Sequence, residues 1–259
     1  MSDIVLVKIG GSTLGSHDTT VDDIVELHNR GFWPVVVHGG GALISDWLKR
    51  LEVPTRFERG LRVTEEDSLD VVVAVLAGLV NKQIVASLEA RGAPAVGLSG
   101  ADGAMLHCRL VDEKLGFVGE VDSVDPGALV RVFLAGSIPV IAPIGLLCEG
   151  DKPTGQLLNT NADTAAGAVA IALRAKWLVF LSDVPGVKGA DGETLSALSG
   201  DLARELIASG TIEGGMIPKV EACLAAASAA GCRSVVVDGR KEHVLMGVVE
   251  GATDGTVVG

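Results

Sequence analysis

The chain has 259 residues, 48% of them hydrophobic, and carries 21 Lys and Arg against 33 Asp and Glu for a formal net charge of −12. This is enough for one large α/β domain, or two closely joined lobes, with a sizeable core, and the acidic balance argues against a nucleic-acid backbone or an anionic membrane as partner. No uninterrupted run of 18 apolar residues is present and the N-terminus lacks the basic-then-apolar order of a secretory signal, so a cytoplasmic protein is expected.

The first element is the apolar, β-branched run Ile4 to Ile9, which leads into Lys8-Ile9-Gly10-Gly11. Glycines let backbone N–H groups approach a phosphate closely, and a lysine at a strand end can reach its oxygens. A plain strand-to-loop glycine pair with a surface lysine would look the same. A second strand, Pro34 to Val37, runs into His38-Gly39-Gly40-Gly41. Three glycines before a helix point to a tight turn or to something that approaches the backbone. Neither loop is a GxxxxGK[ST] or GxGxxG sequence, which disfavours a P-loop or a dinucleotide site.

Leu43, Ile44, Trp47, Leu48 and Leu51 then mark one helix face, and Leu69, Val72, Val73, Leu76, Leu79, Val80 and Ile84 a longer one. Thr64-Glu65-Glu66-Asp67 reads as a capping box that starts the second helix. Arg62, just before it, is either a carboxylate ligand or a surface partner of Glu65 or Glu66.

Further strands are expected at Ala95 to Leu98, Pro139 to Ala142, Trp177 to Leu181 and Ser234 to Val237. Strands that are apolar throughout and alternate with helices indicate a mainly parallel sheet covered on both faces, an α/β three-layer α/β/α sandwich. Met105 to Val121 and Ile144 to Leu158 break the rhythm and read as projecting hairpins that could serve as a lid. No hard domain boundary is visible. A soft one near Asn159 to Asp163 would divide a single domain, 1–259, into approximate lobes 1–158 and 159–259.

Asn159, Asn161 and Asp163 follow at i, i+2 and i+4 where a strand-like run gives way to an Ala-rich helix from Ala162 to Leu173. Capping accounts for one or two of these polar residues. Leu181-Ser182-Asp183-Val184-Pro185-Gly186-Val187 is turn-rich, as a nucleotide loop would be. Lys219 stands at the start of a helix from Val220 to Ala230, where the macrodipole disfavours a cation unless an anion is near. Cys108, Cys148, Cys223 and Cys232 show no metal-ligand spacing with the five histidines and read as buried free thiols.

Taken in order, Lys8-x-Gly10-Gly11, His38-Gly39-Gly40-Gly41, Gly60-Leu61-Arg62-Val63-Thr64, Gly97-Leu98-Ser99-Gly100-x-Asp102-Gly103, Asn159-x-Asn161-Ala162-Asp163, Ser182-Asp183-Val184-x-Gly186 and Gly215-Met216-x-x-Lys219 resemble the amino acid kinase family over nearly the whole chain. The likeness is nearest to the branch that phosphorylates N-acetyl-L-glutamate in arginine biosynthesis.

The resemblance implies ATP with Mg²⁺ carried by the nucleotide, no metal ligands of the protein's own, and an acyl-phosphate product. It implies that Lys8 and Lys219 stabilise the transferring phosphoryl group while Asp163 orients them. By the same carry-over Gly40, Gly41, Arg62 and Asn159 hold the acylated amino acid, and Gly10, Gly11, Asp183, Val184, Pro185, Gly186, Val187, Lys188, Thr211, Ile212 and Glu213 line the nucleotide site. The rival within the family phosphorylates 2-aminoadipate or glutamate linked to a carrier protein. A catalytically silent nucleotide- or amino-acid-binding protein on the same scaffold is the reading from another class. Because Lys8 lies so near the start of the chain, a homodimer insensitive to arginine is expected.

Overall fold

The computed structural model describes residues 3–10, 19–58, 60–252 and 254–259. The elements run β1 (Ile4–Ile9), α1 (Thr20–Asn29), β2 (Trp33–His38), α2 (Gly41–Arg50), β3 (Phe57–Glu58), β4 (Leu61–Arg62) and α3 (Glu66–Val73). A π-helical stretch, Ala74–Val80, joins α3 to α4 (Asn81–Glu89) without a break. There follow β5 (Ala95–Ser99), β6 (Leu106–Leu110), β7 (Val118–Val124), α5 (Gly127–Leu134), β8 (Ile138–Ala142), β9 (Ile144–Glu149) and β10 (Lys152–Thr160). The last third holds α6 (Ala162–Ala172), β11 (Trp177–Ser182), β12 (Ala197–Leu198), α7 (Gly200–Ala208), α8 (Met216–Ala230), β13 (Arg233–Asp238), α9 (Val244–Glu250) and β14 (Gly255–Val258).

Eight strands form one sheet in the order β12-β14-β13-β11-β1-β2-β8-β5. Each neighbouring pair from β13 to β5 is parallel, and β14 runs antiparallel to β13. All six expected strands are present, and the mainly parallel three-layer sandwich is the observed architecture. Alternation along β1 distributes the core: Val5, Val7 and Ile9 pack with Ile24 and Leu27 of α1, Leu48 of α2 and Leu245 of α9 on one face. Leu6 packs with Ala165, Ala166 and Val169 of α6 and Val220 of α8 on the other. Lys8 shares the parity of Leu6, which aims it at the α6 and α8 side of the sheet.

Several local expectations change. The two hairpins are real, β6 with β7 and β9 with β10, but they are not separate flaps. Parallel pairings of β10 with β7 and of β6 with β9 close them into a four-stranded barrel, with Leu106, Cys108, Val118 and Leu158 buried. The capping box does not form, and α3 starts after Glu65 with no side-chain cap. The Thr64 hydroxyl instead donates to the Arg62 carbonyl at 2.9 Å and accepts from the Asn159 amide at 3.0 Å. Leu51 lies beyond α2 and is 54% exposed, off the face assigned to it.

The continuous helix Glu66–Glu89 is, by length and composition, apolar enough to cross a membrane, which an uninterrupted-run count of the sequence misses. Leu69, Val72, Leu76, Val80, Ile84 and Leu88 along it are buried, as befits a core helix packed on the sheet. Cys108, Cys223 and Cys232 are buried and Cys148 is partly accessible. Burial pushes the Cys108 thiol up to about 12 and Cys232 up to about 11, so neither acts as a thiolate nucleophile.

Candidate active site

Open parallel sheets bind ligands where the strand order reverses, beyond the carboxyl ends of the strands. Here the chain moves from β1 to β2 on one side and places β11 on the other. The gap between the ends of β1 and β11 is bridged by a hydrogen bond from Gly10 N to Leu181 O of 3.3 Å. A cavity of about 350 Å³ opens there, lined by Lys8, Gly10, Asp163, Leu181, Ser182, Asp183, Val184, Gly215, Met216 and Lys219.

Three elements converge on its floor. β1 delivers Lys8. Asn161 caps α6 by accepting from the N–H groups of Asp163 at 2.8 Å and Thr164 at 3.2 Å, which sets Asp163 in the first turn of the helix. The first turns of α8 deliver Lys219. The two helices pack so closely that a Cβ on Gly167 would lie 2.9 Å from that of Ala222, so glycine is what lets their ends meet.

Lys8 Nζ stands 2.6 Å from one oxygen of Asp163 and Lys219 Nζ 3.0 Å from the other. Each of the three is only 8% exposed. The Lys219 ammonium also sits 5.0 Å above the ring centre of the fully buried Phe180, an added cation–π contact.

Burial by itself would raise the Asp163 carboxyl, but the two ammonium groups outweigh it and hold the group below the usual carboxylate range. Burial pulls the Lys8 ammonium below its ordinary range, Asp163 draws it back up and Lys219 adds to the lowering. One carboxylate thus bonds two buried lysines, and Asp183, which lines the same cavity, adds a weaker pull on Lys8. The anion that offsets the helix macrodipole at Lys219 is the Asp163 carboxylate.

A second cavity, of about 180 Å³, is lined by Gly39, Gly40, Gly41, Ile44, Phe57, Gly60, Leu61, Arg62, Leu76, Val118, Pro143 and Asn159 through Ala162. A Cβ at Gly40 would lie 2.7 Å from Leu76 Cδ2, so any side chain there would make Leu76 shift. Gly41 opens α2 with free space at its Cα. His38 is fully buried and its Nδ1–H donates to the Gly39 carbonyl at 2.9 Å, while its Nε2 accepts from Asn81 at 3.2 Å. Burial lowers its pKa to about 4, which keeps the ring neutral.

Arg62 donates through Nη2 to Gly41 O at 3.0 Å and Ser45 Oγ at 2.8 Å. Its Nη1 is buried with no hydrogen-bond partner among the described residues, an unmet donor beside a cavity. The bond to Thr64 uses one of the two amide hydrogens of Asn159 and sets the orientation of the amide, whose carbonyl oxygen is an acceptor. A third cavity, of about 320 Å³, shares Gly60, Leu61, Val118 and Asn161 with the second and Gly215 with the first. The three therefore adjoin.

Lys8, Asp163 and Lys219 come together, as do Gly40, Gly41, Arg62 and Asn159, and Gly10, Asp183 and Val184 line the lysine cavity. Gly11 lies outside the described residues. The remaining nucleotide-loop residues do not line any of these cavities. Pro185 and Lys188 are exposed and Gly186 is buried, and Val187 is a core residue whose N–H donates to Thr256 Oγ1 at 2.8 Å. Thr211 Oγ1 pairs with Ser209 Oγ at 3.1 Å, Ile212 is 3% exposed in the core, and Glu213 points outward. Ser45 and Phe57 were not singled out by sequence reasoning. The one signal for Ser45 is a polar residue a single turn after Gly41 on an otherwise apolar stretch.

A buried Lys–Asp–Lys centre lies at the switch point of a doubly wound sheet, next to a pocket with an arginine donor unmet among the described residues, an arrangement suited to anionic ligands. The chain belongs to the amino acid kinase family, whose sequence model matches residues 3–238. It is 44% identical over 259 residues to an acetylglutamate kinase of Dehalococcoides mccartyi, covering 99% of this chain and 94% of that one. An acetylglutamate kinase of Ruegeria pomeroyi is 44% identical over 247 residues, covering 94% of this chain and 84% of that one. Among solved structures, smu.665 from Streptococcus mutans superposes with a TM-score of 0.84 at 29% identity, covering 100% of this chain and 99% of that chain.

Proposed function

We propose that this protein uses ATP to phosphorylate the γ-carboxylate of N-acetyl-L-glutamate, giving N-acetyl-L-glutamyl 5-phosphate in arginine biosynthesis. The observation that carries the reading is the buried Lys8–Asp163–Lys219 centre near an adjoining cavity into whose wall Arg62 brings a buried nitrogen with no partner among the described residues. Relatives named acetylglutamate kinase, 44% identical along nearly the full chain, support it.

The attacking carboxylate, with a reference pKa of about 4.3, is ionised at neutral pH and needs no general base. The obstacle is repulsion: two like charges about 4 Å apart repel by roughly 4 kcal/mol at an effective dielectric near 20. Lys8 and Lys219 would offset the charge that spreads over the phosphoryl oxygens, and Asp163 holds both in place before substrates arrive. The Gly10 turn and the amino-terminal end of α8 at Gly215 would contact the nucleotide phosphates. Arg62 would grip the remote carboxylate, and the Asn159 carbonyl oxygen suits an amide N–H such as that of the acetamido group.

No group of three or more His, Cys, Asp or Glu that could hold a metal ion occurs among the described residues. In this reading Mg²⁺ enters on the phosphates of the nucleotide, where it neutralises part of their charge.

The test is Mg-ATP-dependent acyl-phosphate formation trapped with hydroxylamine, comparing N-acetyl-L-glutamate, free glutamate and carrier-linked 2-aminoadipate. Hydroxamate from N-acetyl-L-glutamate alone is the expected result. Product only from the carrier-linked substrate would reassign the acceptor, and no product from any of the three would overturn the reading.

A further inference from the structure

We infer that Phe57 and Ser45 form a two-sided clamp that presets the Arg62 guanidinium, and that both are positioning residues for the acceptor. The inference rests on the reading of the glycine-lined cavity as the acceptor site. Phe57 and Arg62 are direct cross-strand partners on the antiparallel pair β3 and β4, which sets their side chains on one face. The Arg62 Cζ lies 4.7 Å from the centre of the Phe57 ring.

Phe57 is 58% exposed and belongs to none of the hydrophobic clusters, so core burial does not explain a large aromatic here. Stacking on a guanidinium does, since the face of the ring attracts the cation. At the Nη2 edge, Ser45 Oγ accepts from Nη2 at 2.8 Å and itself donates to Gly41 O at 3.1 Å, while Gly41 O also accepts from Nη2 at 3.0 Å. This triangle fixes one edge of the guanidinium and the ring fixes its plane.

A planar group held by one face and one edge has its remaining edge aimed, and that edge carries the buried Nη1, which has no partner among the described residues. A carboxylate arriving there meets a donor that does not have to be ordered first. Without the ring, the guanidinium still bonds to Ser45 but can tilt out of the plane of the incoming carboxylate.

Steady-state kinetics of Phe57→Leu, Phe57→Trp, Ser45→Ala and Arg62→Lys, with the pair Phe57→Leu/Arg62→Lys, test this. Phe57→Leu is expected to raise KM for N-acetyl-L-glutamate about tenfold with KM for ATP unchanged, and Phe57→Trp to restore it to within about twofold. In the Arg62→Lys background Phe57→Leu should have no further effect. A normal KM in Phe57→Leu overturns the clamp, and so does full additivity with Arg62→Lys, which would place Phe57 against the substrate itself.

Nitrogen-15 spectra of the arginine side chains in the substrate-free protein give a readout independent of turnover. Separate Nη1 and Nη2 signals, assigned to Arg62 by their loss in Arg62→Lys, should merge in Phe57→Leu and in Ser45→Ala. If the wild-type protein leaves N-acetyl-L-glutamate untouched, the acceptor reading falls while these spectra still decide the clamp. An unchanged spectrum in both variants overturns it.

Discussion

Asp163 gives two buried lysines an anionic partner at once by presenting one oxygen to each. In the proposed reaction these cations face the phosphoryl group, so their value lies in electrostatics rather than in binding. Lys8→Ala and Lys219→Ala are each expected to lower kcat by about 10³-fold or more, the order contributed by one well-placed cation in phosphoryl transfer. Calorimetric titration with Mg-ATP should still show binding in both. Near-normal kcat in either variant would remove that lysine from the mechanism. At this scale the sequence was largely readable, because Lys8, Asn161, Asp163 and Lys219 are polar residues at the ends of apolar elements. Ser45 and Phe57 escaped because they meet Arg62 only once the β3–β4 pair forms and packs against α2, and Thr64 because its partner Asn159 is distant in the chain. Thr64 looks like a cap until Asn159, 95 residues away, competes for its hydroxyl.

The meeting of α6 and α8 is an element-scale device. Neither helix carries a wide apolar stripe of large residues; they are rich in alanine and touch closely through Gly167 and Ala222. Close approach brings Asp163 and Lys219 together at their amino-terminal ends. A methyl group at 167 would stand 2.9 Å from the Ala222 Cβ, so Gly167→Ala must push the helices apart by some tenths of an ångström. Overpacking of this kind costs about 1–3 kcal/mol, and the Lys219–Asp163 bond should lengthen with it. Urea denaturation and kcat measured on the same variant should fall together. Unchanged stability with normal kcat would show that the contact has slack. Strands were the most legible elements because they are apolar throughout. The barrel was not legible, since its closing pairs, Asn159 with Val118 and His107 with Leu146, join segments far apart in the chain.

For the whole molecule, stability is linked to protons through groups whose ionisation folding changes. His38 is held neutral, with its pKa lowered from 6.5 to about 4 by burial. The unfolded chain therefore binds a proton that the folded protein refuses between these values, and stability present above pH 6.5 is lost as pH falls toward 4. At 1.36 kcal/mol per unit this amounts to about 3 kcal/mol. Asp163, lowered by its two lysines, adds a further loss at still lower pH. Urea unfolding at pH 7.5 and pH 4.5 should show the drop in the wild-type protein and a smaller one in His38→Gln. An equal drop in both would assign acid sensitivity elsewhere.

The sheet and its helices supply the lysines and Asp163, whereas Phe57, Arg62 and Asn159 come from the β3–β4 pair and from the closing strand of the barrel. Both are excursions from the sheet rather than parts of it. In the proposed reaction these excursions supply part of the acceptor side, together with Gly40 and Gly41 at the joint of β2 and α2. On that reading a lineage, or an engineer, can recast residues of the two excursions to accept a different acid while Lys8, Asp163 and Lys219 stay untouched. The covalent link between the two halves is short: Asn159 and Asp163 are four positions apart, so any new acceptor must still present its carboxylate at that same joint.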